Sequence, residues 1–193
     1  MLILASASPR RQELLRNAGI NFVVQPADIP EVPQPGEAPQ TFAERVARDK
    51  ARTVHRRRPG DFVLGADTVV IVDEHILNKP ESAQDATRML RLLSGRSHLV
   101  MTAVCLMGPD EEHGSRDFED VRTETTRVFF NSLDEADIAA YIATGEPMDK
   151  AGGYGIQGFA SRWIPRVEGC YFNVVGLPVA LVFRMLCEHD ALR

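Results

Sequence analysis

Short apolar runs alternate with amphipathic stretches along the whole chain, and Ser, Pro or Gly marks most of the switches between them. Leu2 to Ala5 predicts a strand, and Ser8-Pro9 then supplies a capping hydroxyl followed by proline at the first helical position. The helix this opens runs to about Ala18 and stops at Gly19. Phe22 to Gln25 predicts a second strand, and the proline-rich "PADIPEVPQPGEAP" an irregular surface loop. Thr41 and Glu44 have capping-box spacing for a long helix ending near "HRRRPG". "DFVLGADTVVIV" is apolar enough for a central buried strand, and Ser82 with Asp85 opens a helix that Gly95 ends. "SHLVMTAVCLMG" and "VRTETTRVFF" predict two strands joined through "PDEEHGSRD" as a hairpin with an exposed tip. Ser132 and Glu135 cap a helix through Ala143 with Gly145 as its stop, and "FNVVGLPVALVFRML" predicts a strand and a closing helix with Pro178 near its start.

This alternation predicts an α/β fold: a mixed β-sheet flanked by helices, with a cleft where loops converge. The elements make one domain over residues 1–193, and the subdivision the pattern suggests is a smaller lobe over about 132–167. At 193 residues the chain is long enough to bury a core of its own. A net charge of -5 argues against a protein that coats nucleic acid, which needs a basic face to displace counterions. Cys105, Cys170 and Cys187 are widely spaced and in no metal-binding pattern, which predicts reduced thiols. The apolar start is too short for a secretory segment and no later run reaches membrane-spanning length. The expectation is a soluble, cytoplasmic protein.

Several polar residues stand where the pattern does not call for them. Arg10 and Arg11 sit in the first turn of a helix, where the dipole and the unpaired N–H groups favour an anion and disfavour a cation. They are either phosphate ligands or two exposed arginines at a tolerated position. In the second helix Phe42, Ala43, Val46, Ala47, Ala51 and Val54 share an arc of roughly 180°, with Lys50 near its middle. Such a lysine either snorkels past the core edge or meets an anion. Asp67 interrupts an apolar strand, which calls for a cation, a metal or a catalytic duty, or else for backbone amides at a strand end. Gly65, two residues earlier, leaves room for something close to the backbone. Lys79 precedes Pro80 and Lys150 precedes a glycine run; Glu31 is a solvated charge or a second metal-facing carboxylate. Gln157, between glycines, either reads a base edge or caps a turn. The five histidines are scattered and read as ordinary surface or packed residues. One buried carboxylate, several cations and no evident protein nucleophile fit metal-assisted hydrolysis of a phosphoanhydride better than covalent catalysis.

With these residues in view, the chain resembles the Maf family of nucleoside-triphosphate pyrophosphatases. The blocks "LASASPRRQELL", "ARDKA", "GADTVV", "NKP", "LSGRSHLVMTAV", "DKAGGYGIQG" and "NVVGLP" follow one another in family order. The resemblance implies a fold shared with inosine-triphosphate pyrophosphatases and cleavage of a nucleotide between its α- and β-phosphates. It implies that Asp67 is the proton acceptor that activates water, with a divalent metal, Mg²⁺ or Mn²⁺, held by Asp67 and Glu31. Ser8, Arg10, Arg11, Lys50 and Lys79 match the family's phosphate-site positions. Arg10, Thr68 and Gln157 match the branch acting on dTTP and UTP, whereas the branch acting on methylated GTP tends to carry Trp, Gln and Glu. The resemblance further implies a homodimer, with no nucleic-acid or membrane partner. Two rival expectations remain: house-cleaning of modified pyrimidine nucleotides, and a nucleotide-sensing inhibitor of septum formation without essential catalysis.

Overall fold

A computed structural model describes residues 1–110 and 116–192. A seven-stranded mixed sheet runs in the order β2-β1-β3-β5-β6-β7, with β4 paired to β3 off that path. Its strands are β1 (Leu2–Leu4), β2 (Val23–Val24), β3 (Phe62–Val72), β4 (His75–Leu77), β5 (Ser97–Asp110), β6 (Arg116–Phe129) and β7 (Arg166–Glu168). β1 is parallel to both β2 and β3, with Ile3 opposite Val23 and Val63, while β3–β4 and β6–β7 are antiparallel. The helices are α1 (Pro9–Asn17), α2 (Pro39–His55), α3 (Ala83–Leu93), α4 (Glu135–Ala143), α5 (Tyr171–Val175) and α6 (Val179–Glu188). Among the described residues no helix is long and apolar enough to cross a membrane.

The chain divides into two compact units. The first comprises residues 1–67, 102–124 and 176–193, and the second 68–101 and 125–175; the stretch 132–167 lies inside the second. In the first unit the apolar arc of α2 is buried, and Ile3, Leu4, Leu15 and Leu64 are fully enclosed with it. In the second unit a core including Val70, Leu90, Leu93, Val128, Tyr141 and Trp163 gathers α3 and α4 with the strand segments of that unit.

Four elements differ from the sequence reading, three of them for a local reason. α2 begins at Pro39 after an Ala38 cap that makes no side-chain hydrogen bond, so the proline's preset φ starts the helix ahead of Thr41 and Glu44. α4 is capped by Asp134 and Asp137, which form a reciprocal capping box, instead of by Ser132 and Glu135. Tyr171–Val175 is a short helix, not a strand, because a brief apolar run carries no period that separates the two. β2 is two residues long, shorter than Phe22 to Gln25 suggests. The tip of the β5–β6 connection, residues 111–115, lies outside the described residues.

His98 is one of the packed histidines. It is buried in the second unit, its Nε2 lies 2.6 Å from the Tyr154 hydroxyl, and its ring meets Phe130 edge-on at 5.3 Å. Burial pushes it from an ordinary 6.5 down to about 4. The unfolded chain therefore takes up this proton first as pH falls. His98 contributes stability above pH 6.5 that is lost as pH drops toward about 4. The loss in that window amounts to about 3 kcal/mol. Urea titrations at successive pH values should show it, and a His98→Asn variant should flatten the slope there.

Candidate active site

The close approach of α2 to β3 sets the geometry of the first unit. A Cβ on Gly65 would lie 2.3 Å from the Ala47 carbonyl oxygen and 2.8 Å from the Ala51 nitrogen, so only glycine lets the helix backbone rest against the strand at this level. Lys50 lies between those two contacts on the buried face of the helix, and Asp67 lies two residues along the strand from Gly65. The two anomalies of the sequence are consequently partners. Lys50 Nζ donates to Asp67 Oδ1 at 2.9 Å and to the Ala66 carbonyl at 3.3 Å. It also pairs with Glu31 Oε1 at 2.8 Å, which accounts for three donors of one ammonium. The lysine does not snorkel; it is only 6% exposed.

Asp67 is 5% exposed, and this burial pushes its carboxyl pKa upward. Lys50, first by charge and then by its hydrogen bond, and Arg11 by charge act against that rise without cancelling it. Glu31 contributes from the proline-rich loop and remains substantially exposed, so the pair of carboxylates has one buried and one open member.

Arg11 is not the exposed arginine that one reading of the sequence allows. It is 7% exposed, and its guanidinium turns inward: Nε donates to the Gly176 carbonyl at 2.9 Å, and Nη1 to the Ala66 carbonyl at 2.8 Å and Ser6 Oγ at 3.1 Å. Desolvation lowers its pKa, while the charges of Asp67 and Glu31 raise it. Arg11 thus fixes the strand segment that presents Asp67. Ser8 is the N-cap of α1 and its hydroxyl accepts from the Arg11 amide at 3.4 Å. Arg10 is half-buried beside it.

The structure therefore brings Arg11, Glu31, Lys50 and Asp67 together, with Ser8 and Arg10 at the start of the helix that carries Arg11. Thr68, Lys79 and Gln157 belong to the second unit. Thr68 follows Asp67 in β3 and is half-buried, Lys79 is exposed between β4 and α3, and Gln157 is exposed in the glycine-rich run. Lys150 is engaged locally, with Nζ 2.7 Å from the Glu146 carbonyl and 2.6 Å from Asp149 Oδ1. Sequence reasoning passed over Ser6 and the Ala66 and Gly176 carbonyls as partners of Arg11. Two of these three are backbone groups, which no residue type advertises.

The family model described as Maf-like protein matches residues 1–189. The chain belongs to the Maf family. It is 58% identical over 185 residues to a dTTP/UTP pyrophosphatase of Koribacter versatilis (strain Ellin345), covering 96% of this chain and 92% of that protein. It is 50% identical over 186 residues to a dTTP/UTP pyrophosphatase of Syntrophomonas wolfei subsp. wolfei, covering 96% of both. A solved nucleoside-triphosphatase / dITP/XTP pyrophosphatase from Mycobacterium abscessus overlays with a TM-score of 0.47 and 16% identity, covering 99% of this chain and 95% of that one. The resemblance built on seven short blocks thus extends over nearly the whole chain.

Proposed function

We propose that the chain hydrolyses dTTP and UTP to the nucleoside monophosphate and pyrophosphate, with Asp67 as the proton acceptor. The observation that carries the proposal is the Asp67 carboxylate: buried, raised in pKa, and held on a lysine by a helix packed directly on its strand. A carboxylate shifted upward toward neutral pH is a better general base than an ordinary aspartate. The substrate class follows from the names of relatives at 58% and 50% identity.

Asp67 accepts a proton from water, the oxygen of that water bonds to the α-phosphorus, and the bond to the bridging oxygen breaks with pyrophosphate as leaving group. Arg10 and Lys79, with Ser8 and the N-terminus of α1, bind and orient the phosphates, and Lys50 adds its charge through Asp67, so that the rate gain comes from positioning and fixed charge. Arg11 keeps the Asp67 segment in place from behind. A divalent cation fits the residues present. Asp67 and Glu31 already converge on a single cation, at 2.9 and 2.8 Å from Lys50 Nζ. No group of three or more His, Cys, Asp or Glu able to hold a metal occurs among the described residues. A pair of carboxylates with the remaining ligands supplied by water and phosphate is a donor set suited to Mg²⁺. When bound, the ion would neutralise phosphate charge.

Gln157, Thr68 and Arg10 select the nucleotide. An amide both donates and accepts, which matches a pyrimidine edge with two carbonyls and an N–H. Pyrophosphate release should be measured with dTTP, UTP, CTP, 5-methyl-UTP, pseudouridine triphosphate and methylated GTP, each with and without Mg²⁺. Fastest release from dTTP and UTP is the expected result. Preference for methylated GTP overturns the substrate assignment, and absence of release from every nucleotide favours the sensor reading over an enzyme.

A further inference from the structure

The glycine-rich segment carrying Gln157 should be pliant, since glycines flank it at 155 and 158. Instead a single carboxylate in the second unit holds both of its ends. Glu146 Oε2 accepts from the Phe159 amide at 3.1 Å. Glu146 Oε1 accepts from the Tyr141 hydroxyl at 3.1 Å, and that hydroxyl in turn accepts from the Gly155 amide at 3.2 Å. Between these two anchors the turn closes on itself, the Gly158 amide donating to the Gly155 carbonyl at 3.2 Å. The carboxylate lies so close to the turn that a Cβ on Gly158 would come 2.0 Å from Glu146 Oε1.

The clamp is itself anchored. Tyr141 is fully buried, and its ring stacks on Phe159 at 5.5 Å and 12°. The Glu146 amide donates to Thr144 Oγ1 at 3.1 Å and its carbonyl accepts from Lys150 at 2.7 Å, so both sides of its backbone are fixed. Both groups that face the carboxylate are donors, which suits a side chain that only accepts. Burial and the neighbouring Glu146 push the Tyr141 hydroxyl's pKa up, so it keeps the proton it donates. Gln157 stands exposed at the centre of a loop whose two ends share one rigid support.

We propose that Glu146 is a positioning residue for Gln157: by pinning residues 155 and 159 it fixes the amide that reads the base, and so governs base discrimination rather than the chemical step. This rests on the reading of Gln157 given above. Nothing in it requires Glu146 to touch the nucleotide.

The test is a double-substitution cycle on the full chain, with kcat and KM for UTP and CTP in the wild type, Glu146→Ala, Glu146→Gln, Gln157→Ala and Glu146→Ala/Gln157→Ala. Glu146→Ala should lower the UTP-to-CTP ratio of kcat/KM about tenfold, mainly through KM, because the loop's amide is no longer preorganised. Glu146→Gln should restore the ratio only in part, since its oxygen still accepts from the Phe159 amide while its NH₂ cannot accept from the Tyr141 hydroxyl. In the Gln157→Ala background, Glu146→Ala should change the ratio no further. A ratio unchanged by Glu146→Ala, or lowered equally in both backgrounds, overturns the proposal. If Glu146→Ala does not fold, Glu146→Asp, whose carboxylate is one methylene shorter, replaces it with the same expected direction. A wild type that releases no pyrophosphate removes the functional reading and the base-reading role with it, whereas failure of the clamp alone shows as an active wild type with an unmoved ratio.

Discussion

Asp67→Asn lowers turnover of dTTP by about 10²- to 10⁴-fold, the range a positioned general base contributes, while nucleotide affinity and the fold persist. The amide matches the carboxylate in size but accepts no proton from water at neutral pH. Lys50 keeps Glu31 at 2.8 Å and the Ala66 carbonyl at 3.3 Å, so its ammonium is not left unpaired by the change. Stability should hold or rise at pH 7. The folded pKa of Asp67 lies above its ordinary 3.8, so its contribution favours the native state below pH 3.8 and is lost as pH climbs through the raised value. At neutral pH the wild type therefore bears the cost of a buried ionised carboxylate, and the asparagine relieves it. Pyrophosphate release, calorimetric titration with dTTP and a thermal melt read the three quantities separately. An asparagine variant with near-wild-type turnover would remove Asp67 from the mechanism.

The pairing of Lys50 with Asp67 shows how far residue pattern reaches. Each residue is conspicuous alone, a cation in an apolar helical arc and an anion in an apolar strand, and each explains the other once Gly65 lets α2 rest on β3. The start and stop of α1 are equally plain, because Ser8, Pro9 and Gly19 act locally. Arg11 was harder to place. Its spacing to Leu14 and Leu15 sets it on their buried helical face, yet arginine is the side chain least expected to turn inward, and two of its acceptors are backbone carbonyls. The starts of α2 and α4 were displaced by competing signals of the same kind. Asp134 and Asp137 repeat, two residues on, the spacing of Ser132 and Glu135, and only the strand and loop before the helix decide between them.

The inward turn of Arg11 makes its replacement costly in two measurable ways. Arg11→Met keeps most of the aliphatic stem but removes the donors to Gly176, Ala66 and Ser6. Ala66 retains Lys50 at 3.3 Å, so that carbonyl keeps a donor. The three lost hydrogen bonds, together with the lost packing of the guanidinium, should lower stability by about 3 kcal/mol, seen as a shift of the urea midpoint. Arg11→Lys should rescue little, because one ammonium cannot span acceptors that the planar guanidinium reaches together. The second effect is electrostatic. Arg11 is a cation that holds down the Asp67 pKa, so its removal lets burial push that carboxyl higher still. A base with a higher pKa is protonated over a wider acidic range. The acid limb of the kcat/KM profile should accordingly move to higher pH in Arg11→Met than in the wild type. A ligand acting only on phosphate would instead raise KM, leaving the limb and the urea midpoint where they were; that outcome would return Arg11 from the support behind Asp67 to the phosphate site.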